Sequence, residues 1–141
     1  MNELLHHAPS WVILIPCLVT AGLFFVPASN HGLIRWASIS GAALTLLLAV
    51  TMFFGYDQQT AGLQYVHEIP WVPTLGIQYK VGADGISIAM VLLTSIVYLA
   101  GALVSMGVGK RVKDFYILLS ALVAGVFGVF VSLDLFFFYF F

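Results

Sequence analysis

Residues 86–108 read ISIAMVLLTSIVYLAGALVSMGV, and this stretch contains no charged side chain. A helix that crosses the roughly 30 Å hydrocarbon core of a bilayer needs about 20 predominantly apolar residues. The stretch is long enough and apolar enough to meet that requirement, so it predicts a transmembrane helix.

The rest of the composition agrees with a membrane protein. Hydrophobic residues make up 62% of the 141 residues and charged residues only 8%, whereas a soluble domain carries about 25% charge. Mean hydropathy is +1.07, which predicts an integral membrane protein with the lipid bilayer as its surroundings. The net charge of −1 argues against a nucleic-acid partner, because nucleic-acid binding requires basic patches.

Outward from that stretch, the pattern predicts an all-α integral membrane fold, treated as one membrane domain over 1–141. It consists of four transmembrane helices, the start of a fifth, and a surface β-hairpin between the second and third helices. The predicted helices cover 11–26, 33–54, 86–108, 115–131 and 134 onward, and the hairpin covers about 62–81.

The hairpin is predicted from alternation. Leu75, Ile77, Tyr79 and Val81 fall on one side of an extended chain, with polar residues between them. This period of two is typical of a half-buried strand. We expect Trp71 and Tyr79 to lie at the depth of the lipid headgroups.

The basic residues predict an orientation. Lys110, Arg111 and Lys113 lie between the third and fourth predicted helices, and Arg35 flanks the turn between the first and second. Basic residues are retained on the cytoplasmic side of a membrane. We therefore expect the N-terminus outside, together with the hairpin and its single basic residue, Lys80.

The last residues, 135–141, read LFFFYFF. This aromatic run is too short to span a bilayer, and it carries no usual helix stop signal. The expectation is that the chain is the N-terminal portion of a longer protein, in which the fifth helix continues.

Ionisable side chains are missing from the middle of the four predicted spans, where they usually mark an ion pathway. We therefore predict no catalytic, proton-pathway, cofactor-binding or metal-binding residue here, and no cofactor. Hydroxyl side chains offer a wet path as one alternative. Hydrogen bonds to the carbonyl four residues earlier, or across helices, are the favoured interpretation for them: Thr45, Thr94, Ser95, Tyr98, Ser105 and Ser120.

Three aspartates precede predicted helices and are interpreted as helix caps rather than cation ligands: Asp84, Asp114 and Asp134. Asp114 is also placed to pair with Lys113. The adjacent pairs His6–His7 and His67–Glu68 are interpreted as solvated groups, because two ligands are too few for a structural zinc site.

Small residues recur every four positions in two helices, a spacing that lets helix backbones approach closely. We expect both stripes to pack against protein: Ser120, Ala124, Gly128 and Ser132 in the fourth helix, and Gly101, Ser105 and Gly109 in the third.

Several segments resemble one family. They are WVPTLGI at 71–77, VGADGIS at 81–87, VLLT at 91–94, RVKDFY at 111–116, VFGVF at 126–130 and DLFFFY at 134–139. They resemble the proton-translocating NADH:quinone oxidoreductases (respiratory complex I), and most closely chain M, an antiporter-like membrane subunit. Asp84-Gly85-Ile86-Ser87 with the later Leu92-Leu93-Thr94 carries most of this likeness.

The resemblance implies a non-redox subunit of a translocase in the cell inner (plasma) membrane, surrounded by neighbouring antiporter-like subunits. It implies proton export coupled to quinone reduction elsewhere in the complex, and a hairpin on the outer face. The family's proton-carrying glutamates and lysines cannot be placed on any residue of this sequence.

Two other functions remain open. One is a component of the D type from a multi-subunit sodium/proton antiporter, or the corresponding component of a membrane-bound hydrogenase. The other is a non-catalytic membrane scaffold, if 141 residues are the complete product. Genes encoding a quinone-reducing module nearby would favour the oxidoreductase.

Overall fold

The computed structural model describes residues 7–57, 62–72 and 77–141. Within them the chain forms five α-helices and a two-stranded antiparallel hairpin. In chain order these are α1 (Ala8–Phe25), α2 (His31–Gly55), β1 (Gln64–Val72), β2 (Ile77–Ala83), α3 (Gly85–Val104), α4 (Val112–Val131) and α5 (Leu135–Phe140). A 3-10 turn, Ser105–Gly107, extends α3.

Helices α1 to α4, with the 3-10 turn added to α3, are each long and apolar enough to cross a bilayer. The predicted fold class, four membrane helices with the start of a fifth and a hairpin between the second and third, is confirmed. α1 begins at Ala8 rather than at residue 11, because Pro9 occupies the first turn, where its missing N–H costs nothing. α4 begins at Val112 rather than at 115 and therefore includes Lys113 and Asp114.

The hairpin is fastened to one end of the bundle. The N–H of Leu133 donates to the carbonyl of Lys80 at 2.9 Å, and Val81 forms an isolated bridge with Ser132, so β2 pairs with the α4–α5 connection. The predicted alternation is present, since Val81 is fully buried while Gln78 is exposed. Leu75 and the side chain of Trp71 lie outside the described residues.

Small residues allow close packing at two places. A Cβ added to Gly41 of α2 would clash with the side chain of Val19 in α1, and one added to Gly128 of α4 would clash with the ring of Phe141. Ser120, Ala124 and Gly128 are buried, so these members of the α4 stripe pack against protein as predicted.

The corresponding prediction for α3 is wrong within the described residues. A Cβ at Gly101 or Gly109 would meet nothing within 4 Å, and Gly109 is exposed. The buried face of α3 is a different one, formed by Ile88, Val91, Ser95, Tyr98 and Ala102. Small residues permit close approach, but the larger side chains on this other face bury more apolar area.

The contact at Gly41 gives a first prediction. Gly41→Ala should force α1 and α2 apart and lower the free energy of unfolding by about 1–2 kcal/mol, the usual cost of overpacking less the helix propensity gained. Gly22→Ala, on α1 where a Cβ meets open space, is the matched control and should be neutral or slightly stabilising. Thermal unfolding of the two variants in detergent measures the difference, and equal midpoints would contradict the proposed contact.

Candidate functional site

The two ends of the bundle differ in charge. One end, here called the basic end, gathers the C-terminus of α1, the N-terminus of α2, the α3–α4 connection and the N-terminus of α4. Two long-range hydrogen bonds bring these segments together, from Arg35 to the Val108 carbonyl and from Lys113 to the Phe24 carbonyl. The basic residues of this end are Arg35, Lys110, Arg111 and Lys113.

The opposite end, here called the hairpin end, carries acidic groups. It contains the hairpin, the N-termini of α1 and α3, and the C-termini of α2 and α4. Its described charged residues are Asp57, Glu68, Lys80, Asp84 and Asp134. Lys80 forms an ion pair with Glu68 across the two strands. The charges of the chain are therefore separated along the bundle axis.

Arg35 is the central cation of the basic end. It lies one turn inside α2, is partly buried, and donates from Nη2 to the carbonyl of Val108 at 2.8 Å. Its Nε is also buried and has no hydrogen-bond partner among the described residues. A guanidinium keeps its charge under all ordinary conditions, so Arg35 places a fixed positive charge between α2 and the α3–α4 connection.

Lys113 and Arg111 act at the adjacent helix ends. Lys113 Nζ donates at 3.0 Å to the carbonyl of Phe24, which belongs to the last turn of α1, where carbonyls lack helical partners and attract cations. Arg111 Nε pairs with Asp114 Oδ2 at 2.8 Å, with both side chains well exposed, so this pair adds little stability. The expected pairing of Asp114 with Lys113 is wrong, because Lys113 reaches α1 instead.

The buried hydroxyls are used for structure. Thr45 donates to the carbonyl of Gly41 at 2.8 Å and Ser95 to that of Val91 at 2.7 Å, each four residues earlier. The hydroxyls of Tyr98 in α3 and Ser120 in α4 are 2.8 Å apart and buried. The favoured interpretation is confirmed for these four residues.

Tyr116 is a polar contact that the sequence did not indicate. Its hydroxyl donates to the carbonyl of Ala102 at 2.9 Å, and the residue is fully buried between α4 and α3. Nothing in the local pattern separates it from the neighbouring Phe115, so no sequence signal was available to identify this hydrogen bond.

Two of the three predicted caps are confirmed. Asp84 Oδ1 accepts from the N–H of Ser87 at 2.7 Å at the start of α3, and Asp134 Oδ1 accepts from Phe136 and Phe137 at the start of α5. The prediction for Asp114 is wrong, because it lies inside the first turn of α4, whose N-cap position is occupied by Arg111.

The cap at Asp84 has a pH dependence. The backbone hydrogen bond from Ser87 lowers the pKa of the Asp84 carboxyl below its usual 3.8. A lowered pKa in the folded state means that the stabilisation is complete above the unfolded value and is lost as the pH falls through the folded value. The cap is therefore fully formed at neutral pH.

The histidines of the hairpin end pair differently from their sequence neighbours. His7 at the start of α1 and His67 in β1 have ring centroids 4.6 Å apart, whereas Glu68 pairs with Lys80 and His6 lies outside the described residues. Among those residues, no three or more His, Cys, Asp or Glu side chains gather as a metal-binding group.

Arg35 provides a second prediction. Arg35→Met should remove the donor that holds the Val108 carbonyl and lower the free energy of unfolding by about 1–2 kcal/mol, the value of a partly exposed hydrogen bond to a charged group. Lys110→Met is the matched control, because Lys110 is exposed in the same connection, and it should change stability by less than about 0.5 kcal/mol. Chemical unfolding in detergent checks the pair, and equal losses would show that Arg35 does not hold the α3–α4 connection.

No model of a known protein family matches the chain. Among curated proteins, it is 35% identical over 129 residues to NAD(P)H-quinone oxidoreductase chain 4 of Parasynechococcus marenigrum, which covers 90% of this chain and 24% of that relative. The chloroplastic chain 4 of Chlorokybus atmophyticus is 37% identical over 92% of this chain and 25% of its own length. Chain 4 of Prochlorococcus marinus strain NATL2A is 33% identical over 98% of this chain and 26% of its own. The chain thus spans about a quarter of the length of these relatives and is similar to them along nearly all of its own.

Proposed function

We propose that this chain is part of a membrane-arm subunit of an NAD(P)H:quinone oxidoreductase and takes part in proton translocation coupled to electron transfer to a quinone. The observation that carries the proposal is the similarity to proteins of that name over nine-tenths or more of the chain. The four apolar helices agree with a place in the membrane arm.

The finer assignment is the N-terminal portion of an antiporter-like subunit equivalent to chain M. Asp84-Gly85-Ile86-Ser87 supports it, because this segment forms the capped start of α3 and is the segment on which the resemblance rests most. A non-redox role follows from the residues present. Cys17 is the only cysteine, so this chain offers no set of thiolates for an iron–sulfur cluster.

The proposed partners are the other membrane-arm subunits, above all neighbouring antiporter-like subunits, together with the bilayer. The spans bury only 28–39% of their residues within the chain, so most of their apolar surface is left for lipid or for other helices. Large exposed side chains lie along every span, among them Leu18, Leu47, Val97 and Leu122.

The functional experiment compares inverted membrane vesicles from cells with and without the gene. We expect deletion to abolish proton uptake driven by NAD(P)H, followed by quenching of an acridine dye, and a plasmid-borne copy of the gene to restore it. Sodium/proton exchange driven by an imposed sodium gradient should be unchanged. Loss of that exchange with normal NAD(P)H-driven uptake would favour the antiporter, loss of hydrogen-driven uptake alone would favour a hydrogenase, and no change in any assay would favour a scaffold.

The charge separation supports an orientation with the N-terminus outside and the basic end in the cytoplasm, in a cell inner (plasma) membrane. Four Lys and Arg residues lie at the basic end, against Lys80 alone at the other, and short loops rich in Lys and Arg stay cytoplasmic.

Site-specific labelling tests this orientation. In a Cys17→Ser background, Gln78→Cys on the exposed side of β2 should react with a membrane-impermeant maleimide in intact cells. Lys110→Cys, exposed at the basic end, should react only after the membrane is permeabilised. The reversed pattern would place the N-terminus in the cytoplasm.

A further inference from the structure

Two histidines from distant parts of the chain meet at the hairpin end. His7 precedes the first turn of α1, and His67 lies near the middle of β1, opposite Val81. Their ring centroids are 4.6 Å apart with the ring planes inclined at 78°. His7 is exposed and His67 is partly buried, so the side chain of His7 is free to reorient while that of His67 is held by the sheet.

The pair borders a surface cavity of about 490 Å³ that also receives Ser10, Ile69 and Tyr79. The hydroxyl of Tyr79 donates to Ser10 Oγ at 3.1 Å, so two further oxygen atoms line the same space. The cavity is therefore large enough for an ion with its waters, and it offers polar partners to those waters.

We propose that His7 and His67 together form a site for a divalent transition-metal cation, with zinc as the reference ion. Imidazole nitrogen binds Zn²⁺ at about 2.0–2.1 Å, so two nitrogens of one tetrahedral ion lie about 3.3 Å apart. Rings with centroids 4.6 Å apart reach that arrangement by rotation of the exposed His7 side chain. Two protein ligands leave the remaining positions to water.

The neighbouring charges determine which ions the site takes. Glu68 follows His67, but its carboxylate is paired with Lys80 and successive side chains of a strand point to opposite faces. The site therefore consists of nitrogen ligands without a carboxylate. Such a set favours Zn²⁺, Ni²⁺ and Cu²⁺ over Mg²⁺ and Ca²⁺, which prefer oxygen.

A cation held by both rings connects β1 directly to the start of α1. The hydrogen bond of Tyr79 to Ser10 already connects β2 to the same helix, so the ion adds a second attachment between the hairpin and the bundle. Because His7 and His67 are brought together only by folding, the ion binds the folded state preferentially and stabilises it by mass action.

The test uses the purified full chain in lipid nanodiscs, with Zn²⁺ alone as the probe in isothermal titration calorimetry. His7→Gln and His67→Gln should each weaken binding by at least roughly tenfold, since even the loss of an outer-shell partner costs a metal site that much. His31→Gln is the matched control, because His31 is an exposed histidine at the basic end, and it should leave binding unchanged. Mg²⁺ should give no binding.

A second measurement separates this site from scattered surface binding. Zn²⁺ should slow amide hydrogen exchange in β1 of the unaltered chain but not in His7→Gln, whose thermal midpoint without metal should equal that of the unaltered chain. Zinc binding that persists in both His7→Gln and His67→Gln, or that leaves exchange in β1 unchanged, would overturn the proposal.

Discussion

Backbone amides and carbonyls have no water to bind in the hydrocarbon region of a membrane, so each must find its partner inside the protein. In α1 to α4 the helices satisfy this requirement over most of the chain. The free groups at helix ends are then supplied by side chains and by neighbouring segments. Asp84 accepts from the start of α3, Lys113 donates to the last turn of α1, and Leu133 pairs with Lys80 of the hairpin. Nearly all polar groups that are not part of a helix backbone are consequently gathered at the two ends.

This arrangement makes the two ends unequal. The hairpin end binds its acidic groups into caps and a cross-strand ion pair, while the basic end uses cations to join the end of one helix to the start of another. Arg35 and Lys113 each reach a carbonyl far away in sequence. The same residues that orient a chain in the membrane therefore also hold its helices together, so orientation and packing are not independent properties of this sequence.

The sequence predicted what depends on local physics. Long apolar stretches identify the helices, alternation identifies the hairpin, and Asp84 and Asp134 are recognisable as caps because capping acts within three residues. Contacts between distant segments were not predictable. The pairing of Lys113 with Phe24, the approach of His7 to His67 and the hydrogen bond of Tyr116 depend on how the helices pack. The stripe at Gly101 shows the limit most clearly: small residues permit close packing, but which face of α3 is buried depends on the side chains of the partner helices.

The buried polar groups argue for a positional role of the described helices. A proton pathway needs ionisable groups, or hydroxyls and waters with hydrogen-bonding capacity to spare. Thr45 and Ser95 are instead committed to carbonyls of their own helices, and Tyr98 and Ser120 to each other. These bonds fix α3 against α4 at mid-depth, the Arg35 contact fixes α2 against the α3–α4 connection, and the hairpin fixes the opposite end. A bundle held at three levels resists relative movement of its helices, so within the described residues it provides a rigid support rather than a moving part. If the proposed function is right, proton transfer in the intact subunit takes place against this support, with groups that the four spans do not contain.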